Sequence, residues 1–104
     1  MKLSQLRSVH FIGVGGAGVS GLARIALQAG ARVSGSDLVS NALMTELAES
    51  GAAVYTDHHR DHLPNDCQLV VASAAIRKTN PEYREAERRG IRVMKYAEAL
   101  GEFT

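Results

Sequence analysis

The chain has 104 residues, 45% of them hydrophobic, and its 12 lysines and arginines nearly balance its 11 aspartates and glutamates. A chain of this length is expected to form one domain, and the balanced charge argues against nucleic acid and favours a small-molecule partner. No apolar run approaches the roughly 20 residues that cross a bilayer, and no signal-peptide hydrophobic region follows the N-terminal lysine. We therefore expect a cytoplasmic protein that does not bind membranes.

The first strand and the turn after it carry the most informative pattern. The sequence predicts an apolar strand over residues 9–12 and a helix over about 16–29. Between them, Gly13, Gly15 and Gly18 have the G-x-G-x-x-G spacing typical of a turn that binds nucleotide phosphates. These glycines would allow a sharp turn, close approach of a phosphate and close packing of the helix on the sheet. The N–H groups at the start of the helix would favour an anion.

An acidic residue follows the second predicted strand, residues 32–36. Asp37 lies about 20 residues beyond the glycine turn, where such folds place a carboxylate against ribose hydroxyls. The alternative is that Asp37 caps the next helix, predicted over about 41–49. The combination of turn and acid favours ribose contact. Ser36 fits either a ligand contact or an ordinary turn residue.

The rest of the chain continues the alternation of strands and helices. Residues 57–65 are polar, and Pro64 argues against a long helix there. The continuous apolar run 68–72 predicts a central parallel strand. The other predicted elements are strands over 53–56 and 91–94 and helices that begin at Pro81 and Tyr96. This order predicts a Rossmann-like three-layer α/β domain with a five-stranded parallel sheet in the order 3-2-1-4-5.

That strand order predicts where a ligand binds. The order reverses between strands one and four, and ligands bind at the carboxyl ends of the strands at such a point. Residues 73–81 would therefore lie beside the glycine turn. The alternative is a plain connection in which Asn80 and Pro81 start the third helix. The predicted switch point favours the binding interpretation.

Other polar clusters give little support for chemistry. His58, His59 and His62 lie close together, but no H-E-x-x-H motif or cysteine pair accompanies them. We expect an exposed loop without a metal, although one of these histidines could touch a ligand. His10 is expected to be a hydrogen-bonded, buried or half-buried imidazole. The sequence lacks nucleophile-elbow and Walker A motifs, so no catalytic residue is predicted.

The single cysteine indicates a reducing compartment. Cys67 precedes the apolar run of strand four. We expect it to be a packed small hydrophobe.

Three motifs together resemble the N-terminal domain of the Mur ligases. They are I-G-V-G-G-A-G-V-S-G at 12–21, G-S-D at 35–37 and S-A-A-I-x-x-x-N-P at 73–81. The resemblance covers essentially the whole chain. It implies that residues 1–104 bind the UDP portion of UDP-N-acetylmuramate, as a non-catalytic fragment of a larger ligase. The implied contacts are the turn residues Gly13, Gly15, Gly16, Ala17 and Gly18 for the diphosphate, Asp37 for the ribose region, and His58, Ser73, Ala75, Ile76 and Asn80 for the uridine side.

The resemblance also implies the activity of the whole enzyme. It would be an ADP-forming ligase that adds L-alanine, the first amino acid of the peptidoglycan stem, to UDP-N-acetylmuramate. ATP and magnesium would bind in later domains, which are the expected partners in cis, and the fragment would bind without turnover. One alternative is a family member that ligates a recycled tripeptide to the same nucleotide sugar. The other, from a different class, is a regulatory or redox module that binds NAD.

Overall fold

A computed structural model describes residues 5–103 of the chain. Each predicted strand and helix is confirmed to within one residue at its ends. The polar segment also contains one short 3-10 turn, at Arg60–His62. The strands are β1 (Ser8–Ile12), β2 (Arg32–Ser36), β3 (Ala53–Tyr55), β4 (Leu69–Ala72) and β5 (Arg92–Lys95), and the helices are α1 (Ala17–Gln28), α2 (Ala42–Glu49), α3 (Pro81–Arg88) and α4 (Tyr96–Phe103).

The strands form one parallel sheet in the order β3-β2-β1-β4-β5, as predicted. Strand β4 lies between β1 and β5 and all four of its residues are buried, so it is an interior strand as predicted, while β1 occupies the middle of the sheet. Ile12 pairs with Ser36 on one side and with Ala72 on the other. The carboxyl ends of these three strands therefore meet at one edge of the sheet, where the strand order reverses.

Side chains alternate between the two faces of the sheet because successive residues of a strand point in opposite directions. Val9 and Phe11 of β1 pack in a core with residues of α1, α2 and α4. Ile12 packs on the opposite face with Tyr83 and Ala86 of α3. The sheet thus lies between helices on both faces, which confirms the three-layer arrangement.

The helix ends follow from the local sequence. A glycine with positive φ follows each of the first three helices, at Gly30, Gly51 and Gly90. Asn41 is the N-cap of α2, and its side chain accepts a hydrogen bond from Met44 N at 3.1 Å. These caps fix where each connection leaves its helix.

Candidate functional site

The glycine turn leaves β1 at Gly13. Its φ of +88° is the left-handed conformation that glycine adopts readily. Gly13 N donates a 2.7 Å hydrogen bond to Ser36 O, which ties the turn to the end of β2. A Cβ at Gly13 would lie 2.7 Å from Ser73 Oγ. This contact confirms that the segment after β4 lies beside the glycine turn.

The outer part of the turn is open to solvent. Gly16, Ala17 and Gly18 are exposed, whereas Gly13 and Gly15 are buried. Gly16 precedes α1 and provides no side-chain cap. The first N–H groups of a helix have no partner within the helix, so those of α1 face an open surface suited to an anion.

Gly15 is bonded to the loop after β2 and to the residue before α2. Its N–H donates a 2.8 Å hydrogen bond to Oδ2 of Asp37, and its carbonyl oxygen accepts one from Asn41 Nδ2 at 3.0 Å. A Cβ at Gly15 would lie 2.9 Å from Asp37 Oδ2. The missing side chain therefore makes room for the loop after β2. Asn41, not Asp37, caps α2.

Gly18 differs from expectation. We predicted that it lets α1 approach the sheet, but a Cβ there would lie 2.8 Å from Cζ and from the hydroxyl oxygen of Tyr96. Tyr96 is the first residue of α4. Gly18 therefore makes room for an aromatic ring beside the start of α1, and Tyr96 joins the set of residues around the glycine turn.

The segment after β4 starts at the edge of the sheet. Ser73 N donates to Ile12 O at 2.9 Å. Ala75 is exposed and Ile76 is half-buried. Lys95, at the end of β5, donates to the carbonyl oxygen of Ile76 and lies 3.5 Å from that of Ser73. No sequence pattern predicts that Lys95 holds this segment.

Asn80 is the N-cap of α3. Its Oδ1 accepts hydrogen bonds from Glu82 N at 2.9 Å and Tyr83 N at 3.4 Å, and Pro81 occupies the first turn. The alternative in which Asn80 and Pro81 start the third helix is therefore correct, and the side-chain oxygen of Asn80 forms the cap. Asn80 still lies half-buried, at the end of the segment that follows β4.

The residue that sequence reasoning missed is Glu82. Its side chain is fully buried, yet four donors surround its carboxylate. Oε1 accepts from His10 Nε2 at 2.5 Å and from Ser36 Oγ at 2.6 Å. Oε2 accepts from His59 N at 3.0 Å and from His62 Nδ1 at 2.9 Å. One carboxylate therefore connects β1, β2, α3 and the loop after β3.

These contacts decide the charge of Glu82. Burial raises the pKa of the carboxyl group, but the hydrogen bonds from His10, Ser36 and His62, with the charge of His10, outweigh it and lower the pKa to about 2. Glu82 is therefore ionised at neutral pH. His10 Nε2 must carry a proton, and its Nδ1 lies 2.7 Å from Ser34 Oγ. His10 is the hydrogen-bonded buried imidazole that the sequence predicts.

The expectation that the histidine cluster is mainly exposed is wrong for two of its members. The side chains of His58 and His62 are only 11% and 13% exposed, whereas that of His59 is 53% exposed. His62 stacks on Tyr55 with ring centroids 3.8 Å apart. His58 Nδ1 lies 2.8 Å from Ser36 Oγ. His62 is thus held by Glu82 itself, and His58 is held by Ser36, which is bonded to Glu82.

Ser36 connects Glu82 to His58. It has no exposed surface, and its hydroxyl contacts both Glu82 and His58. In this structure Ser36 therefore reaches a ligand only through His58.

Other features lie around this edge. A depression of about 480 Å³ lies near His58 and Asn80 and is rich in arginine, its lining being His59, Arg60, Thr79, Pro81, Arg84, Glu85 and Arg88. It does not include the glycine turn.

Cys67 is buried and its thiol donates to Leu69 O at 3.3 Å, as expected for a packed small hydrophobe. Burial raises the pKa of this thiol.

A metal centre and a membrane-spanning helix are both absent from residues 5–103. No group of three or more histidine, cysteine, aspartate or glutamate side chains in this range is arranged to hold a metal ion. Within the same range, no helix has both the length and the apolar character needed to cross a membrane.

The strand order and the glycine turn at its reversal point define a Rossmann-like α/β domain. Over residues 8–104 the sequence matches the Mur ligase family, catalytic domain. The chain belongs to the Mur ligase family.

Particular relatives agree with this assignment. The chain is 50% identical over 101 residues to UDP-N-acetylmuramate–L-alanine ligase of Thermobifida fusca, covering 97% of this chain and 21% of that protein. It is 43% identical over 102 residues to the ligase of the same name from Aquifex aeolicus, covering 98% of this chain and 22% of that protein. The chain thus spans about a fifth of the length of these relatives.

Solved structures show the same fold. The UDP-N-acetylmuramate-alanine ligase MurC of Thermotoga maritima superposes with a TM-score of 0.85 at 27% identity, covering 89% of this chain and 21% of that chain. The UDP-N-acetylmuramate:L-alanyl-gamma-D-glutamyl-meso-diaminopimelate ligase (MPL) of Neisseria meningitides superposes with a TM-score of 0.79 at 26% identity, covering 93% of this chain and 31% of that chain. An acetophenone reductase of Geotrichum candidum in complex with NAD reaches 0.58 at 20% identity, covering 86% and 33%, which shows a shared fold only.

Proposed function

We propose that this chain binds the UDP portion of UDP-N-acetylmuramate within a Mur ligase that joins L-alanine to this nucleotide sugar. The cited sequence relatives at 43% and 50% identity are both named for that reaction. The observation that carries the proposal is local. The uncapped start of α1, the segment after β4 and His58 all lie at the carboxyl edge of the sheet, where the strand order reverses.

The diphosphate is assigned to the exposed outer part of the glycine turn. Gly16, Ala17 and Gly18 face solvent, and the first N–H groups of α1 lie there. Gly15 N is already bonded to Asp37, so it supports the turn rather than the phosphate. A carboxylate beside a phosphate is repulsive, which is a further reason to place the phosphates on the outer residues.

Asp37 suits the ribose. A carboxylate only accepts hydrogen bonds, and ribose hydroxyls can donate them. Asp37 Oδ2 accepts from Gly15 N and Oδ1 accepts from Leu38 N at 2.7 Å. These bonds hold the carboxylate half-buried at the end of β2, next to the glycine turn. The uridine side would then be lined by His58, Ser73, Ala75, Ile76 and Asn80.

We propose no catalytic role for these residues. In the whole enzyme the muramoyl carboxylate would be activated by phosphoryl transfer from ATP, with magnesium neutralising the phosphates. The alanine amine would then displace phosphate, forming the amide and completing an ADP-forming reaction. ATP, magnesium and the amino acid would be bound by other domains of a cytoplasmic enzyme of peptidoglycan synthesis. Residues 1–104 alone would bind the nucleotide sugar without turnover.

Two alternatives differ in what supports them. A tripeptide-recycling ligase would use the same nucleotide sugar, and the fold alone does not separate it from an alanine-adding ligase, since structures of both kinds superpose closely. The sequence relatives favour the alanine-adding enzyme. An NAD-binding module shares only the fold, at a lower TM-score.

The test is a calorimetric titration of the chain with UDP-N-acetylmuramate, UDP and NAD. We expect both uridine nucleotides to bind and NAD to bind much more weakly. Binding of NAD without any response to the uridine nucleotides would refute the proposal.

A matched pair of glycine variants locates the site. A side chain at Gly16 meets only Gly13 O at 3.6 Å, an ordinary contact, and the φ of −72° there suits any residue. Gly16→Val should therefore fold normally and lose UDP binding, because its side chain stands on the open turn. Gly21→Val, within α1 and with nothing near its Cβ position, should bind like the wild type. Gly15→Val is a poorer probe because it would displace Asp37.

A further inference from the structure

The hydrogen bonds around Ser36 determine where the protons of His58 lie. Ser36 has one hydroxyl proton and two close neighbours, Glu82 Oε1 at 2.6 Å and His58 Nδ1 at 2.8 Å. The ionised carboxylate can only accept, so it takes the Ser36 proton. The Ser36 oxygen is then left as an acceptor, and His58 Nδ1 must donate to it.

The other nitrogen of His58 is the free one. Among residues 5–103 no buried side-chain nitrogen or oxygen lacks a hydrogen-bond partner. The polar contacts of the His58 ring with Ser36 and Glu82 both involve Nδ1, so Nε2 reaches solvent through the small exposed part of the ring. In a neutral imidazole with a proton on Nδ1, Nε2 carries a lone pair and accepts hydrogen bonds.

We propose that Ser36 and Glu82 are positioning residues that hold His58 with its Nδ1 proton inward and its Nε2 lone pair outward, as an acceptor for a nucleoside hydroxyl or imide N–H. The ligand part of this inference rests on the proposed function. Its location fits, because Ser36 O also accepts from Gly13 N and Val14 N at 2.7 and 3.0 Å. A single residue, Ser36, thus connects His58 to the glycine turn.

The chain of contacts explains why an acid is buried here. Glu82 does not reach solvent, so it cannot touch a ligand directly. Its charge instead determines the direction in which the Ser36 hydroxyl donates its proton. That direction in turn determines which nitrogen of His58 carries a proton. A neutral or absent residue 82 would leave the Ser36 hydroxyl free to donate to His58, which reverses the tautomer.

A matched pair of serine variants tests the positioning role. Ser36→Ala removes the hydroxyl between Glu82 and His58. Ser34→Ala removes an equally buried hydroxyl on the same strand, but one that contacts His10 and not His58. Long-range ¹H–¹⁵N spectra of the histidine rings report which nitrogen carries the proton, and His58→Gln assigns the signals of His58.

We expect a protonated Nδ1 and an unprotonated Nε2 for His58 in the wild type and in Ser34→Ala, and a shift of population toward protonated Nε2 in Ser36→Ala. A protonated Nε2 in the neutral wild-type ring, or a tautomer unchanged in Ser36→Ala, would overturn the positioning role. These spectra need no ligand, so they decide that role even if the proposed function fails.

Binding measurements test the acceptor. Ser36→Ala should weaken UDP binding about tenfold, as expected for one hydrogen bond, while Ser34→Ala should leave it within twofold of the wild type. His58→Gln places an amide near the position of Nε2 and should retain more affinity than His58→Asn, which reaches only the position of Nδ1. Equal UDP affinity in the wild type, Ser36→Ala and His58→Asn would refute the acceptor role.

Two UDP analogues distinguish the donor. If the donor is a ribose hydroxyl, the affinity for 2′-deoxy-UDP will no longer depend on His58. If the donor is the imide, the affinity for the N3-methyl analogue will no longer depend on His58. Either result supports the acceptor role, whereas full dependence on His58 with both analogues contradicts these two donors. Failure of the wild type to bind UDP would refute the proposed function and the ligand part of this inference together.

Discussion

The N–H of Gly15 donates a 2.8 Å hydrogen bond to Oδ2 of Asp37, so the glycine turn and the loop after β2 hold each other in place. Asn41 strengthens this connection from the start of α2 by donating to Gly15 O at 3.0 Å. The two most recognisable parts of the nucleotide-binding pattern therefore contact each other directly. Their joint geometry leaves the outer turn residues exposed, which is where we propose that the phosphates bind.

Replacing Asp37 with alanine should weaken UDP binding about tenfold or more. The change removes both the support of Gly15 and the acceptor proposed for ribose, and a hydrogen bond to a charged group contributes roughly 1.5–3 kcal/mol. Calorimetry measures the effect. Asp61→Ala, which removes a side chain that is 77% exposed on the next loop, is the control and should leave affinity unchanged. Equal affinities for the two variants would remove Asp37 from the site.

Gly18→Ala should disturb the ring of Tyr96, because the new Cβ would lie 2.8 Å from it. The ring can move, so we expect a modest loss of stability that Tyr96→Ala largely relieves. Thermal or chemical unfolding of the two single variants and the double variant gives the coupling energy, which for contacting residues is about 0.5–3 kcal/mol. Strict additivity would show that the two residues do not press on each other in solution.

Gly35→Ala should destabilise the fold by roughly 1–3 kcal/mol through overpacking. A Cβ at this position would lie 2.9 Å from Val14 Cβ and 3.0 Å from Phe11 O, and backbone atoms cannot move aside easily. Gly21→Ala is the matched control. It has open space around it in an exposed part of α1 and should stabilise the chain by about 0.5–1 kcal/mol. Denaturant unfolding compares the two, and a neutral Gly35→Ala would contradict the packing described.

The stability of the chain should fall in acid because of Glu82. The carboxyl pKa is about 2 in the folded chain, against an ordinary value of 4.5. A lowered pKa contributes stability that is fully present above pH 4.5 and is lost as the pH falls from there toward 2. Unfolding measured across this range should show the loss.

Glu82→Gln provides the comparison. It should be less stable at neutral pH by roughly 3 kcal/mol, because it leaves buried donors without their acceptor, and its acid-dependent loss should be smaller. Hydrogen bonds from Arg88 and Arg89 likewise lower the pKa of Glu85 to about 2, so Glu85→Gln is measured in parallel to separate its share. An acid limb unchanged by Glu82→Gln would show that the buried carboxylate is not its source.

The sequence predicted the fold because its signals are local. Strand and helix periodicities, glycines after helices and the β-α alternation together restrict the topology to very few choices. The position of Ser73 beside Gly13 followed from the strand order alone. These relations depend on the backbone, which regular patterns determine well.

The buried Glu82 network was not predicted because it depends on contacts between distant segments. Glu82 lies in the first turn of α3, where an acidic residue is common because it interacts favourably with the helix dipole. A signal did exist: His10, Ser34 and Ser36 are polar residues in interior strands, and all need partners. Since one face of α3 covers that side of the sheet, its acids were the available acceptors. The contacts of Tyr96 and Lys95 likewise depend on how the last strand and helix sit beside the turn.

The central claim is that the outer glycine turn holds the diphosphate of a uridine nucleotide. ¹H–¹⁵N spectra of the chain titrated with UDP, uridine and NAD test it most directly. We predict that UDP shifts the amides of Ala17 and Gly18 far more than uridine does, while both ligands shift residues near His58 and Ser73. Shifts at Ala17 and Gly18 with NAD alone, or UDP shifts confined to other surfaces, would contradict the claim.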